Sequence, residues 1–249
     1  MDNDTASAPV CGPDGCDTAA TQAPLPEAGT AGTRIDIVSD AICPWCYIGK
    51  RQLERALAIL EQEGLRFSVH WNPFQLNPDM PKEGCDRAEY RARKFGGAEQ
   101  AAALDRRITE AAAAVGLGFR TDLMTRTPNT IDAHRLVWFA GQHGNQDAVM
   151  EAVFKACFIQ GRDIGDAAVL ADCAAEAGLP RDDVAEFLAG TLAAPEMRAA
   201  DAAARQAGVS GVPSFFLDGY FLFSGAMPAE TIAEALRRAR AVLQGRREG

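Results

Sequence analysis

Seven cysteines occur in this chain of 249 residues, and two of them stand close together in Cys43-Pro44-Trp45-Cys46. At that spacing two sulfurs on one helical turn can form and break a disulfide, or hold half of a metal site. Proline suits the first position of a helix, where its missing N–H costs nothing. Cys43 is therefore expected at a helix start, with Cys46 one turn in. Free N–H groups and the helix dipole there favour a thiolate, the reactive form of cysteine. Cys43 is expected to meet an external thiol or disulfide, and Cys46, deeper on the same side, to resolve the mixed disulfide. Pro44 and Trp45 carry no titrating group and act only through packing, backbone geometry and solvent access. A zinc site needs two further ligands, and the sequence has no second CxxC or Cys/His pair of matching spacing. Redox exchange is favoured, with no metal and no cofactor expected.

Other residues are candidates on weaker signals. Gly211-Val212-Pro213 precedes an apolar run. Proline is permitted at the first residue of a strand, and on spacing alone an ordinary trans proline is the simpler reading. Set opposite the cysteine helix, Pro213 would leave the Val212 backbone to pair with an extended substrate segment. Asp40, three residues before Cys43, reads either as a local charge and proton relay or as a turn residue ahead of the helix. Cys11-Gly12-Pro13-Asp14-Gly15-Cys16 sets two sulfurs around two turn-forming dipeptides. About seventeen residues separate Cys16 from Arg34, a reach of roughly 55 Å when extended. This secondary pair can therefore exchange with Cys43, or form a disulfide of its own, or bind a metal weakly. Cys157 and Cys173 fall on apolar helical faces and read as small core residues. Cys85 follows a polar loop and reads as incidental, and His70, His134 and His143 as structural.

The elements that would position these groups follow from periodicity. Arg34 to Ser39 alternates as a short strand that runs into the cysteine motif. Leu53, Leu57 and Leu60 recur at helical spacing after it, and Gly64 supplies a stop. A second strand spans about Phe67 to Phe74, giving a βαβ unit. Helical faces follow at Leu104–Val115, Val149–Gln160 and Val169–Ala177, with no convincing strand between about 84 and 190. Ser214–Leu217 and Tyr220–Phe223 flank Asp218-Gly219, a hairpin signal, and a last helix runs from about Pro228 to Leu243. The expected organisation is an acidic, disordered tail over 1–32, a first half-domain over 33–83, an all-helical insertion over 84–190 and a second half-domain over 191–249. The fold class is α/β, a thioredoxin-like central mixed sheet with a helical insertion.

Composition sets limits on partners. The formal charge of −9 disfavours nucleic acid, which needs a basic surface. No run of apolar residues is long enough for a transmembrane helix, so no membrane partner is expected. Residues 1–33 hold no Lys or Arg and no apolar stretch of the kind a secretory signal carries. The expected location is cytoplasmic, where unpaired cysteines point to reactivity rather than stapling.

Four segments together carry a resemblance: Ser39-Asp40-Ala41-Ile42-Cys43-Pro44-Trp45-Cys46-Tyr47-Ile48-Gly49, Trp71-Asn72-Pro73-Phe74-Gln75-Leu76-Asn77-Pro78, Gly161-Arg162-Asp163-Ile164 and Gly208-Val209-Ser210-Gly211-Val212-Pro213-Ser214-Phe215. From about Arg34 to Leu243 the chain resembles the FrnE-type branch of the DsbA family. The resemblance implies a thioredoxin fold with a helical insertion, disulfide oxidoreductase activity at Cys43 and Cys46, and a cis-proline at Pro213 facing them. Protein thiols and low-molecular-weight thiols, glutathione among them, are the partners it implies. The buried acid of better-known relatives, six residues before the first cysteine, is Ile37 here, and Asp40 is the nearest substitute. The same superfamily contains glutathione-dependent isomerases similar to 2-hydroxychromene-2-carboxylate isomerase, where a serine takes the place of Cys43. That activity, or a chaperone-like module gripping peptides around Trp45, Phe74 and Val212, is the alternative.

Overall fold

The computed structural model describes residues 33–247. Strand β1 (Thr33–Ser39) leads to helix α1 (Pro44–Gln62) and strand β2 (Phe67–Pro73). A short strand β3 (Cys85–Asp86) precedes α2 (Arg87–Phe95) and α3 (Ala98–Ala114), and β4 (Arg126–Thr127) precedes α4 (Ile131–Gly141). Helices α5 (Gln146–Phe158), α6 (Ala167–Glu176), α7 (Arg181–Ala189) and α8 (Ala194–Gln206) complete the helical middle. The hairpin β5 (Ser214–Leu217) and β6 (Tyr220–Ser224) and helix α9 (Ala229–Arg247) close the chain.

The main sheet has the order β2-β1-β5-β6, with β1 parallel to β2 and antiparallel to β5. It is the central mixed sheet of a thioredoxin-like fold. Residues Ile35 to Ser39 are all buried, as a strand covered on both faces requires. The βαβ unit, the hairpin and the last helix lie where periodicity puts them. Asp218 and Gly219 both have positive φ, 47° and 83°, which a two-residue hairpin turn between right-twisted strands demands. Asp36 is the buried charged residue of β1. Burial pushes its carboxyl up, but hydrogen bonds from His70, Arg34 and Asn72 outweigh this and hold it below the ordinary range.

The expectation of no strand between 84 and 190 is overturned. β3 pairs antiparallel with β4, Cys85 opposite Thr127 and Asp86 opposite Arg126. Each strand is two residues long, too short to show alternation. Its geometry rests on Gly84, whose φ is 68° and where a Cβ would meet Thr127 O at 2.6 Å. Cys85 is half-buried in this ladder. Helices α2, α7 and α8 have no clear apolar stripe in the sequence, because few of their residues are buried: none in α2, Val184 and Leu188 in α7, and Ala194, Met197, Asp201 and Ala204 in α8.

One continuous apolar core runs from the sheet into the helices. Polar side chains fix the two parts together. Gln146, first residue of α5, accepts from Trp71 N–H at 2.7 Å and donates to Trp71 O at 3.2 Å. Trp71 Nε1 donates to Asp147 at 3.0 Å. Lys50 of α1 is 3 % exposed and faces Glu54, Asp147 (3.1 Å) and Glu151 (3.4 Å). Burial pulls its ammonium down, but those three carboxylates leave it raised overall. Among the described residues no helix is long and apolar enough to cross a membrane. The expected tail with Cys11 and Cys16 lies outside the described residues.

Candidate active site

Cys43 is the N-cap of α1, with extended backbone (φ −86°, ψ 113°) and Pro44 at the first helical position. The chain reaches it through a turn in which Cys43 N–H donates to Asp40 O at 3.0 Å. Cys46 N–H donates to Cys43 O at 3.0 Å, so the two cysteines share the first turn. Both are unbonded to other sulfurs; Cys43 is 4 % exposed and Cys46 not at all. Both are therefore buried, Cys43 with a trace of exposure and Cys46 with none.

Strand register brings the distant loop to them. β5 runs antiparallel to β1 with Val38 opposite Ser214, which places Pro213 and Val212 beside the turn that carries Asp40. The Val212–Pro213 peptide is cis. Cys43 Sγ donates to Val212 O at 3.5 Å, so the sulfur lies against the carbonyl that precedes the cis-proline. Gly49 completes the fit. A Cβ there would lie 3.0 Å from Pro213 Cγ, so a glycine in α1 is what allows the proline to pack on the helix.

The thiol of Cys46 is pushed well up from its ordinary value, first by burial and then by Cys43 beside it. Ser39 acts the other way. Its Oγ is buried without a hydrogen-bond partner among the described residues, and beside Cys46 its hydroxyl favours the thiolate. The backbone of Asp40 acts in the same sense. The Asp40 carboxylate does something else. Fully buried, it accepts from Leu76 N–H at 2.7 Å and lies 3.4 Å from both Ile42 N and His134 Nε2. His134 Nε2 lies 3.0 Å from Phe74 O and so carries a proton. Asp40 therefore pins the turn before Cys43 to the loop after β2.

A groove of about 980 Å³ opens in front of Cys43. Trp45, Phe74 and Val212 form its apolar floor, which brings together the residues expected to grip a peptide. Its other wall is α2, with Arg87, Arg91, Arg93 and Lys94, and Arg126 of β4 and Arg205 of α8 also line it. Reasoning from the sequence does not find this wall. The run Arg87-Ala88-Glu89-Tyr90-Arg91-Ala92-Arg93-Lys94 is a visible signal, but only the fold sets it against Cys43. Cys157 and Cys173 are core residues, 1 % exposed each. His143, in the turn after α4, lies 2.9 Å from Phe139 O of that helix. His70 lies beside Asp36. Among the described residues no group of three His, Cys, Asp or Glu side chains is placed to hold a metal.

Residues 34–237 match the model of the DSBA-like thioredoxin domain. The chain belongs to that family. A probable DsbA oxidoreductase from Streptomyces coelicolor shares 36% identity with this DSBA-like chain, covers 84% of it and 90% of itself, and superposes with a TM-score of 0.75. More distant structures share the fold. The cytosolic disulfide reductase DsbM from Pseudomonas aeruginosa, solved with GSH, is 19% identical over 87% of this chain and 100% of its own, with a TM-score of 0.55. A 2-hydroxychromene-2-carboxylate isomerase is 17% identical over 87% and 99%, with a TM-score of 0.62. DSBA-like membership points to disulfide oxidoreductase or isomerase chemistry in general.

Proposed function

We propose that this protein is a thiol–disulfide oxidoreductase that works through a mixed disulfide at Cys43, resolved by Cys46. The observation that carries the reading is the asymmetry of the pair, one sulfur at a helix N-terminus in a groove and the other sealed beneath it. A thiolate on Cys43 attacks a substrate disulfide, forms the Cys43–substrate bond and expels one substrate thiolate. Cys46 then loses its proton and attacks Cys43, releasing the second thiol and leaving a Cys43–Cys46 disulfide. Run backwards, the same steps oxidise a substrate dithiol.

The raised Cys46 thiol has a purpose in this order of events. While Cys43 is free, it helps to keep Cys46 protonated. Once Cys43 is tied up in a mixed disulfide that influence is gone, and Cys46 ionises more readily when it is needed. Ionisation of Cys43 also releases Val212 O, which can then accept an N–H from a substrate chain laid beside Pro213. Trp45 supplies an apolar wall. The cationic side of the groove suits thiols that carry carboxylates, and glutathione, present in the DsbM structure, is of that kind.

The test uses three proteins with oxidised glutathione and with a disulfide-bonded peptide. Cys46→Ser should accumulate a one-to-one mixed disulfide on Cys43, seen by mass spectrometry, while Cys43→Ser should form none and lose turnover. Full disulfide turnover by Cys43→Ser would overturn the reading. If that variant instead isomerised a suitable aromatic substrate with glutathione, the isomerase would replace it.

A further inference from the structure

Cys43 is 4 % exposed, and the groove before it, at about 980 Å³, has the size of a small-molecule site. A disulfide held within a polypeptide needs a wider opening to bring its sulfurs to Cys43. The wall placed to provide that opening is α2. None of its nine residues is buried, and it packs mainly against α3, β3 and β4.

The two ends of α2 are held unequally. At the start, Arg87 N–H donates to Thr125 O at 3.0 Å, which continues the Cys85–Thr127 ladder. Asp86 caps the helix there by accepting from Glu89 N–H at 2.8 Å. At the far end stand Gly96 and Gly97, with φ of 83° and 132°. Glycine moves through this region without steric cost, as a hinge requires. Along its back, Arg87 and Arg91 reach Asp105 of α3 at 3.0 and 2.6 Å. Arg91 Nε nonetheless stays buried without a hydrogen-bond partner among the described residues, so the shut position leaves unpaired a donor that water would satisfy on opening.

Across the groove, one side chain fastens α2. Asn77 Oδ1, in the loop after β2, accepts from Tyr90 O–H and from Lys94 Nζ, the latter at 3.0 Å. Lys94 Nζ also donates to the Tyr90 hydroxyl at 2.7 Å, which closes a triangle of three side chains, all lining the groove. Turned by about 20° on its ladder, a helix of ~13 Å length moves its far end by about 5 Å, the width of one β-strand.

We propose that the Asn77–Tyr90–Lys94 contact is a clasp that sets the size of substrate admitted to Cys43. Shut, it leaves the groove to low-molecular-weight disulfides. Released, α2 swings on the β3–β4 ladder and on Gly96-Gly97, and the groove takes an extended peptide carrying its disulfide. Asn77 and Tyr90 are thus specificity-determining residues. The inference rests on the oxidoreductase reading of the same site.

The experiment uses the reduced full chain as wild type, Asn77→Ala, Tyr90→Phe and Asn77→Asp. Each is treated with N-ethylmaleimide and with a maleimide mounted mid-chain on a neutral, extended peptide, and peptide mapping gives both rates at Cys43. N-ethylmaleimide corrects for the reactivity of the sulfur. Loss of a hydrogen bond moves an open–shut equilibrium by about five-fold, so Asn77→Ala and Tyr90→Phe should raise the peptide-to-small rate ratio at least that much. Asn77→Asp offers Lys94 a carboxylate and a stronger bond, and should lower the ratio. A packing defect alone would not reverse sign between two substitutions at one position. The ratio of kcat/KM for a peptide disulfide to that for hydroxyethyl disulfide should follow the same order. Normal labelling by N-ethylmaleimide with the ratio unmoved in all three variants sinks the clasp and leaves the oxidoreductase standing. Failure of Cys43 to take either reagent in any of the four proteins would refute both readings together.

Discussion

Replacing Asp40 separates two roles that its place in the sequence left open. Its carboxylate accepts from Leu76 N–H at 2.7 Å and is fully buried, while Cys46 is influenced by its backbone rather than its side chain. Asp40→Asn keeps an acceptor for Leu76 but sets an amide N–H₂ against Ile42 N–H and His134, which should cost about 1 kcal/mol. Asp40→Ala leaves the Leu76 N–H buried without a partner and opens a small cavity, at about 3 kcal/mol. For a domain of this size that is a fall in Tm of about 3 °C for the first and about 9 °C for the second. If Asp40 only positions the turn, Asn should keep the resolving step within about three-fold, and Ala should slow it about ten-fold. Calorimetry gives the stabilities, and stopped-flow decay of a preformed Cys43 mixed disulfide gives the step. A proton relay predicts the reverse pattern, a loss of about 100-fold for Asn with Tm almost unchanged. That result would refute the positioning argument.

Three further outcomes are expected. Burial pushes the thiols of Cys157 and Cys173 up from 9.0 to about 12; between those values the unfolded chain has released protons that the folded chain still holds. The reduced protein should therefore lose roughly 1 kcal/mol per pH unit per thiol as pH rises above about 9, and urea midpoints of Cys157→Ala should show a shallower fall than wild type; equal slopes would contradict this. Lys50→Met removes the cation shared by Glu54, Asp147 and Glu151. Because those carboxylates are partly exposed and can turn to water, the loss should be about 2 kcal/mol, or about 4–8 °C in Tm, and an unchanged Tm would show the cluster to be inert. Gly49→Ala gains about 1 kcal/mol of helix propensity and loses a similar amount against Pro213. Its Tm should hold while peptide-disulfide turnover falls about ten-fold, and unchanged turnover would mean that the proline loop adjusts freely.

The parts of this molecule legible in its sequence are those whose information is local. The alternation of Ile35 and Ile37, the Leu53, Leu57 and Leu60 stripe and the Asp218-Gly219 turn each encode an element by themselves. The cysteine pair stands out by spacing alone, and its place on the first turn of α1 follows from Pro44. Helix α8 is harder, since its buried residues include only Ala194, Met197, Asp201 and Ala204, and alanine gives little periodic contrast. The Cys85–Thr127 ladder is shorter than one period of a strand. Arg91 and Cys43 are separated by α1, β2 and β3, and nothing local tells that both will line one groove. The pairing of Val38 with Ser214, likewise, is what turns Val212 from a residue before a proline into a neighbour of the active sulfur.

The Gln146–Trp71 contact has a meaning beyond joining a helix to a strand. β2 is one edge of the sheet, and an open edge invites a strand from another chain. In a strand alternate residues present their N–H and C=O outward, here Phe67, Val69, Trp71 and Pro73. Pro73 has no N–H to offer, and the amide of Gln146 already takes both backbone groups of Trp71, as a neighbouring peptide would. The half of this edge nearest the cysteines is thereby sealed against intermolecular β-pairing, so an extended chain that enters the groove cannot add itself to the sheet beside Cys43.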